Sequence, residues 1–139
     1  MNYFTDEKEW QWLFDNAIDW DKIIPLYYPE YPTQDGIQNK EELLGFFKEL
    51  LTSTGEWAAG SVAGRARKLD EDGGGEVVDG SVICSETLLE NYREAKELAF
   101  FGVGVDQKYG GMGLPAAVSL MGFTQVNRAC ISTATQIGF

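Results

Sequence analysis

The residues of this chain that could carry acid–base chemistry are carboxylates, lysines, tyrosines and cysteines, because the sequence contains no histidine. This composition excludes Ser–His catalysis, Cys–His catalysis and histidine-ligated zinc within the chain. Glu86, Glu90 and Glu94 recur at a spacing that places their carboxylates on one face of a helix. Such a row could act as an acid–base group, but an exposed helix face is the better interpretation.

The acidic, glycine-rich segment that begins at Asp70 could form a calcium loop. Asp70 and Asp72 fit the first two ligand positions of an EF-hand, and Gly75 fits the sixth. The fifth position is Gly74, however, and the twelfth is Ser81, where a bidentate glutamate is required. We therefore predict a solvated loop and no metal site.

Glycines also recur in the last third of the chain. Gly102-Val103-Gly104 suggests dinucleotide binding, but the G-x-G-x-x-G pattern fails at Gln107, and the segment follows a helix instead of a strand. No Gly-Lys-Ser/Thr follows, which argues against a P-loop. We predict a structural loop in which glycines provide positive φ angles and tight packing. The loop glycines are Gly102, Gly104, Gly110, Gly111 and Gly113.

Charge and hydropathy narrow the class of protein further. The net charge of −11 argues against nucleic acid as a partner, because an acidic surface repels phosphates. No apolar run approaches the ~20 residues that span a bilayer. The N-terminus lacks the basic start and apolar core of a signal peptide. These features predict a cytoplasmic protein.

Two further groups of side chains have ordinary structural interpretations. Cys84 and Cys130 form no Cys-x-x-Cys pair, and without an export signal we expect two reduced, mostly buried thiols. Arg65, Arg67 and Lys68 form the densest basic group. We expect them on the last turns of a helix, where they would complement the helix dipole.

The N-terminal quarter of the chain predicts two helices and an extended connector. A helix over 5–20 has Thr5 as its N-cap and apolar residues at helical spacing. A short helical piece follows over 19–24. Prolines within 25–32 then predict an extended chain, whose tyrosines should pack onto a helical surface.

The longest predicted helix begins at Asn39 and continues almost to residue 70. Asn39 and Glu42 resemble a capping box. Glycines interrupt the apolar pattern, and we expect them to allow the close approach of a neighbouring helix; a kink near 53–55 is the alternative. These glycines are Gly55, Gly60 and Gly64.

After the acidic loop, two apolar pairs flank Asp79-Gly80, which favours a small hairpin or an extended strap. A helix over 85–100 should follow, with Gly102 as its C-terminal stop. Its expected buried stripe comprises Leu88, Leu89, Tyr92, Ala95, Leu98 and Ala99.

A further helix should begin at Pro115 and end near Ala129, and Ser132 could cap a last helix. The expected buried residues of the first of these are Ala116, Val118, Leu120, Met121, Phe123 and Val126. Together the elements predict an all-α bundle of about five to six helices.

The glycine-rich loop resembles a loop of the N-terminal domain of acyl-CoA dehydrogenases. In that family a Gly-aliphatic-Gly-aliphatic run commonly precedes Pro-Glu-Glu-Tyr-Gly-Gly-x-Gly-Leu. The corresponding residues of this chain are Gly102-Val103-Gly104-Val105 and Asp106-Gln107-Lys108-Tyr109-Gly110-Gly111-Met112-Gly113-Leu114. Asp106 replaces the usual proline and Gln107-Lys108 an acidic pair, but the glycine framework is complete.

Other segments extend this resemblance over 39–139, and it is weak before that range. Residues 63–70 look like the end of the family's helix, which terminates at an aspartate. Asp79-Gly80-Ser81-Val82 resembles the connector of a longer subfamily that includes methylmercaptopropionyl-CoA dehydrogenases. The opening aromatic helix resembles the short extension of the same subfamily.

The resemblance implies a three-domain enzyme that desaturates an acyl-CoA thioester with FAD. It implies that FAD is held largely by later domains, that the catalytic glutamate lies beyond this chain, and that no carboxylate here is catalytic. An electron-transfer acceptor and a homo-oligomer are further implied partners. The resemblance also implies that Ala134, Thr135 and Gly138 form one wall of the acyl pocket, in which case Gly138→Leu should impair long acyl-CoAs most.

We therefore expect an N-terminal extension and connector over 1–35 and a helical domain over 36–139 that is truncated at its C-terminal end. The chain alone should be inactive. The alternative is a stand-alone helical interaction module that retains the fold without catalysis.

Overall fold

A computed structural model describes residues 1–138 and shows helices with one small hairpin, which confirms the all-α prediction. The helices are α1 (Lys8–Trp12), α2 (Trp20–Tyr27), α3 (Lys40–Trp57), α4 (Ala63–Asp72), α5 (Glu86–Glu97), α6 (Ala116–Ala129) and α7 (Ile131–Gly138). π-Helical turns cover Leu13–Ala17 and Ala58–Val62, and 3-10 turns cover Phe100–Gly102 and Gln107–Tyr109. The hairpin pairs β1 (Gly75–Val78) with β2 (Ser81–Cys84) in antiparallel orientation. Phe139 lies outside the described residues.

The N-terminal helices differ from the prediction at both ends. The first helix begins at Lys8 after Glu7 instead of after Thr5, and it passes into a π-turn that ends before Ile18. Asp19 caps α2 by accepting a hydrogen bond from the Lys22 backbone amide.

The predicted extended connector is wrong at Pro25, which lies inside α2. The helix continues past the proline because its apolar side chains are held in the core. Trp20 and Ile24 are buried, and the Trp20 indole N–H donates to the Phe14 carbonyl oxygen at 2.7 Å. Of the tyrosines that follow, Tyr28 is partly buried and packs on Phe47 at 6.1 Å between ring centroids.

The long helix is confirmed as one helical path through α3, a π-turn and α4. Asn39 caps α3 by accepting from the Glu42 amide at 2.9 Å, and the Glu42 carboxylate accepts from the Gln38 amide at 2.8 Å. The irregularity lies at Ala58–Val62 and not at 53–55.

The expectation for the glycines of this helix is wrong at two positions of three. Apart from the adjacent residues and the backbone of the helix itself, no described atom lies within 4 Å of the place where a side chain on Gly60 or Gly64 would begin. Gly55 is tightly covered, since a Cβ there would lie 2.6 Å from Gln125 Oε1 and would also meet Asn2 Oδ1. A glycine is therefore required at position 55, where the N-terminal segment and α6 approach the helix. No neighbouring helix requires one at position 60.

The core consists of two clusters along α3 and its continuation. The first cluster comprises Phe4, Phe14, Trp20, Ile24, Leu43, Phe47, Leu51, Leu114, Val118 and Met121. The second comprises Trp57, Ala58, Val62, Ala95, Phe100, Val126, Ala134 and Ile137. The N-terminal segment through α2 thus packs into the same core as α3 and α6.

The predicted buried stripes are partly wrong. Tyr92, Leu98 and Leu120 are exposed, and Leu120 has 62% of its surface in solvent. Ala99 and Ala116 are also exposed, whereas the polar side chains of Thr87, Asn91 and Gln125 are buried. The type of a side chain did not indicate whether these residues are buried or exposed, because their burial depends on which helix packs against them.

The end of α5 also differs from the prediction. Leu98 is the C-cap, and Ala99 takes a left-handed conformation with φ +53°. The helix therefore ends at Glu97, five residues before Gly102, which lies in the following 3-10 turn.

In the part of the chain that the structure describes, no helix combines the length and apolar character needed to cross a membrane.

Candidate functional site

An open groove of about 650 Å³ runs between the exposed face of α7, the hairpin and the end of α4. We call it the α7 groove, and we define it by Leu69, Asp70, Glu76, Val77, Val82, Cys84, Leu88, Ile131, Ser132, Thr135 and Gln136, together with the glycines over 73–75. Its volume lies within the range of ordinary small-molecule sites.

The face of α7 that lines this groove is fixed by the junction with α6. Cys130 adopts an extended conformation with φ −161°, so the chain turns before α7 begins at Ile131. Helical periodicity then divides the residues of α7 between two faces. Thr133, Ala134 and Ile137 are buried, whereas Ile131, Ser132, Thr135 and Gln136 line the groove.

The structure separates the three residues expected to form an acyl pocket wall. Ala134 is fully buried in the second core cluster. Thr135 is exposed and lines the α7 groove. Gly138 is exposed and does not line the groove. The three therefore do not form one surface within the described residues.

Gly138 is constrained by a neighbour from α6. A Cβ at this position would lie 2.9 Å from Phe123 Cζ and would also meet Phe123 Cε2. Any larger residue must displace the Phe123 ring, so Gly138→Leu would mix a packing effect with any effect on a ligand. Thr135 is the cleaner position for a test.

A buried polar network holds α7 against α5. The Asn91 amide nitrogen donates to Thr133 Oγ1 at 2.9 Å, and both residues are 0% exposed. The Asn91 carbonyl oxygen accepts from Arg65 Nη1 at 3.0 Å, which extends the network to α4. Sequence reasoning missed both Asn91 and Thr133. The available signal was the helical position of Asn91, between Leu88 and Ala95 on one face.

Arg65 on α4 is the centre of an ion-pair group that includes two glutamates of α5. Its Nη2 and Nη1 atoms lie 2.6 Å and 2.8 Å from the two Glu94 carboxylate oxygens, and its Nε lies 3.1 Å from Glu90 Oε2. The Trp57 indole N–H donates to Glu94 at 2.8 Å. The Arg65 hydrogen bond lowers the pKa of Glu94, so this carboxylate is held ionised and is a poor proton acceptor.

These pairs revise two interpretations. The three glutamates of α5 were expected to lie on an exposed helix face. Glu86 and Glu90 are exposed, but Glu94 is partly buried, so this interpretation is wrong at Glu94. The basic group does not serve a helix dipole. Arg65 pairs across to α5, Arg67 pairs with Glu71, and Lys68 pairs with Asp72.

The glycine-rich loop is closed by its own backbone. The amides of residues 110–114 all donate to carbonyl oxygens of residues 102–107, including Met112 to Gly102 at 2.8 Å and Leu114 to Val103 at 2.9 Å. Gly111 has no room for a side chain, because a Cβ would meet the Val105 carbonyl oxygen. These amides are therefore not free to bind phosphate.

The cysteines and carboxylates form no metal site. Both Cys84 and Cys130 are free, but Cys84 is exposed, so the expectation of mostly buried thiols is wrong for it. Within residues 1–138, no three cysteine, aspartate or glutamate side chains are grouped so that they could hold a metal ion.

Comparison with known proteins gives one family. The model of the acyl-CoA dehydrogenase N-terminal domain matches residues 47–139, well over half of the chain. Searches of curated proteins and of solved structures gave no significant match. The match covers α3 from Phe47, the hairpin, the glycine-rich loop and α7. The chain therefore belongs to the acyl-CoA dehydrogenase N-terminal domain family.

Proposed function

We propose that this chain is the N-terminal helical domain of an FAD-dependent acyl-CoA dehydrogenase and that it forms one wall of the acyl pocket. In this proposal the intact enzyme desaturates an acyl-CoA thioester between its α and β carbons. It passes electrons to an electron-transfer acceptor and acts as a homo-oligomer. The domain itself is inactive. The family of the chain, whose intact members are oxidoreductases, supports this assignment.

The α7 groove is the observation on which the pocket proposal rests. Thr135 lies in the groove beside the branched aliphatic side chains of Ile131 and Val82. A surface of this kind suits a hydrocarbon chain, because burial of each methylene group stabilises binding by about 0.8 kcal/mol. We propose Thr135 as the wall residue. Ala134 fixes the position of α7 from the core, and Gly138 leaves space for Phe123.

The described residues do not fit a primary FAD site. The loop amides of 110–114 are used within the loop, and Asp70 gives the α7 groove a carboxylate, with no lysine or arginine among its described lining residues, which would repel the cofactor's diphosphate. We therefore propose that FAD, which supplies the hydride acceptor when bound, is held by other parts of the enzyme. We assign the catalytic glutamate to those parts as well, as the family resemblance implies; Glu94, the partly buried carboxylate of α5, is held by Arg65.

The hairpin supports assignment to the longer subfamily that includes methylmercaptopropionyl-CoA dehydrogenases. Asp79 and Gly80, which belong to the connector resemblance, both have positive φ and form the two-residue turn between β1 and β2.

The proposal is tested with the full-length protein encoded by the gene. We would measure bound flavin in the purified protein and reduction of an artificial electron acceptor with straight-chain acyl-CoAs of increasing length. Thr135→Leu should lower kcat/KM for the best substrate by about tenfold or more, because a larger side chain narrows the pocket.

Thr124→Leu is the matched control, since Thr124 is an exposed helical threonine on α6 away from the α7 groove. It should leave kcat/KM within about twofold of the wild type. Equal effects of the two variants would refute the wall assignment. A full-length protein that binds no flavin and oxidises no acyl-CoA would refute the enzyme assignment and favour the interaction module.

A further inference from the structure

The hairpin presents exposed apolar side chains to the α7 groove. Every residue of β1 and β2 is exposed, although an isolated two-stranded hairpin is at best marginally stable in water. Val77 lies opposite Val82 in the register, and these side chains are 72% and 73% exposed. Both line the α7 groove. They therefore form an exposed apolar pair in the lining of the α7 groove.

The two faces of the hairpin differ in their relation to the groove. Side chains alternate between faces along a strand, so Val77 and Val82 share one face and Val78 and Ile83 lie on the other. Val78 and Ile83 do not line the groove, although Ile83 is also 51% exposed. Of these four apolar residues of the hairpin, only Val77 and Val82 therefore line the groove.

The charge of the groove limits what can occupy it. Among the described residues that line it there is no lysine or arginine, and Asp70 adds negative charge. The phosphates of a CoA group would be repelled there, whereas an uncharged hydrocarbon chain would not. Aliphatic residues from four elements line the space: Leu69 on α4, Val77 and Val82 on the hairpin, Leu88 on α5 and Ile131 on α7.

We propose that the hairpin is the outer wall of the acyl pocket and that Val77 and Val82 contact the distal end of the acyl chain. The pair then sets the upper limit of acyl length that the enzyme accepts. This inference rests on the proposed function, since it assigns a specificity element to the same pocket. The thioester and the CoA group lie elsewhere, away from Asp70.

The experiment compares hairpin variants of the full-length enzyme across straight-chain acyl-CoAs from butanoyl-CoA to hexadecanoyl-CoA. Val82→Asp should lower kcat/KM by about tenfold for the longest substrates that the wild type accepts and by less than twofold for butanoyl-CoA. Val82→Phe, which keeps the surface apolar but fills space, should shift the preferred length towards shorter chains.

Ile83→Asp is the matched control, because it places the same charge on the adjacent residue but on the opposite face of β2. Its chain-length profile should equal that of the wild type. Equal profiles for Val82→Asp and Ile83→Asp, or a Val82→Phe profile unchanged from the wild type, would overturn the hairpin assignment while leaving the enzyme assignment intact. A wild-type protein that oxidises no acyl-CoA would overturn both.

Discussion

The hydrogen bond between Asn91 and Thr133 should make a measurable contribution to the stability of this domain. Both residues are 0% exposed, so water cannot replace a lost partner. Thr133→Val keeps the shape of the side chain but leaves the Asn91 amide nitrogen without its acceptor, 2.9 Å away in the native chain. An unpaired buried donor costs about 1–3 kcal/mol. We therefore expect a decrease of that size in the free energy of unfolding.

The companion variant Asn91→Leu removes the same bond from the other side. It also removes the acceptor that Arg65 Nη1 finds at 3.0 Å, but Arg65 keeps both Glu94 oxygens. Replacing both partners by apolar groups leaves neither side of the pair unsatisfied. The double variant should therefore be about 1–2 kcal/mol more stable than the sum of the single effects predicts.

Urea unfolding followed by circular dichroism measures these values, provided that the dependence on urea concentration is the same for all variants. Thr135→Val is the matched control, because Thr135 is an exposed threonine on the same helix and its substitution should change stability by less than about 0.5 kcal/mol. Additivity of the two core substitutions within about 0.5 kcal/mol would refute the coupling.

Four further substitutions test other features, each by the same unfolding measurement. Ala99→Gly should stabilise the chain by about 0.5–1 kcal/mol, because the left-handed φ of +53° strains alanine more than glycine; a loss of stability would contradict that backbone assignment. Gly60→Ala should stabilise by up to about 1 kcal/mol, since open space surrounds it, whereas Gly111→Ala should destabilise because its Cβ would meet the Val105 carbonyl; the same sign for both would be inconsistent with the structure. Glu94 has a lowered pKa in the folded chain, so its contribution is present above its ordinary value of 4.5 and is lost as pH falls through the folded value. The stability difference between wild type and Glu94→Gln should shrink between pH 7 and pH 3, and a constant difference would contradict the ion pair.

Local signals in the sequence predicted the elements whose structure is decided locally. Asn39 caps α3 through its own side chain, as its spacing from Glu42 predicted. Asp79-Gly80 forms the expected hairpin turn because both residues tolerate positive φ. The all-α class followed from the number and spacing of such signals.

Features that depend on distant partners could not be predicted in this way. Gly55, Gly60 and Gly64 look alike in the sequence, and only the approach of Asn2 and Gln125 distinguishes Gly55. The burial of Asn91 requires Thr133, which is 42 residues away along the chain.

The candidate site shows the same division between local and distant information. The family resemblance assigned residues 134, 135 and 138 to one wall, and helical spacing agreed with it, but neither fixed the rotation of the helix about its axis. Ala134 lies in the core, and the next residue, Thr135, lies in the groove. The rotation of α7 about its axis therefore decides which of these two neighbours lines the groove. That rotation is set by packing against α5 and α6, which the sequence alone does not order in space.

The aromatic cluster around Phe47 has a consequence for protein engineering. The family match begins at Phe47, yet the ring of this residue packs on Trp20 at 5.7 Å and on Tyr28 at 6.1 Å between centroids. A fragment that starts where the family match starts would divide α3. It would also lack the aromatic side chains of Trp20 and Tyr28, which cover Phe47. Domain transplantation, chimera design and truncation libraries should therefore carry the α2 segment together with the matched region as one module.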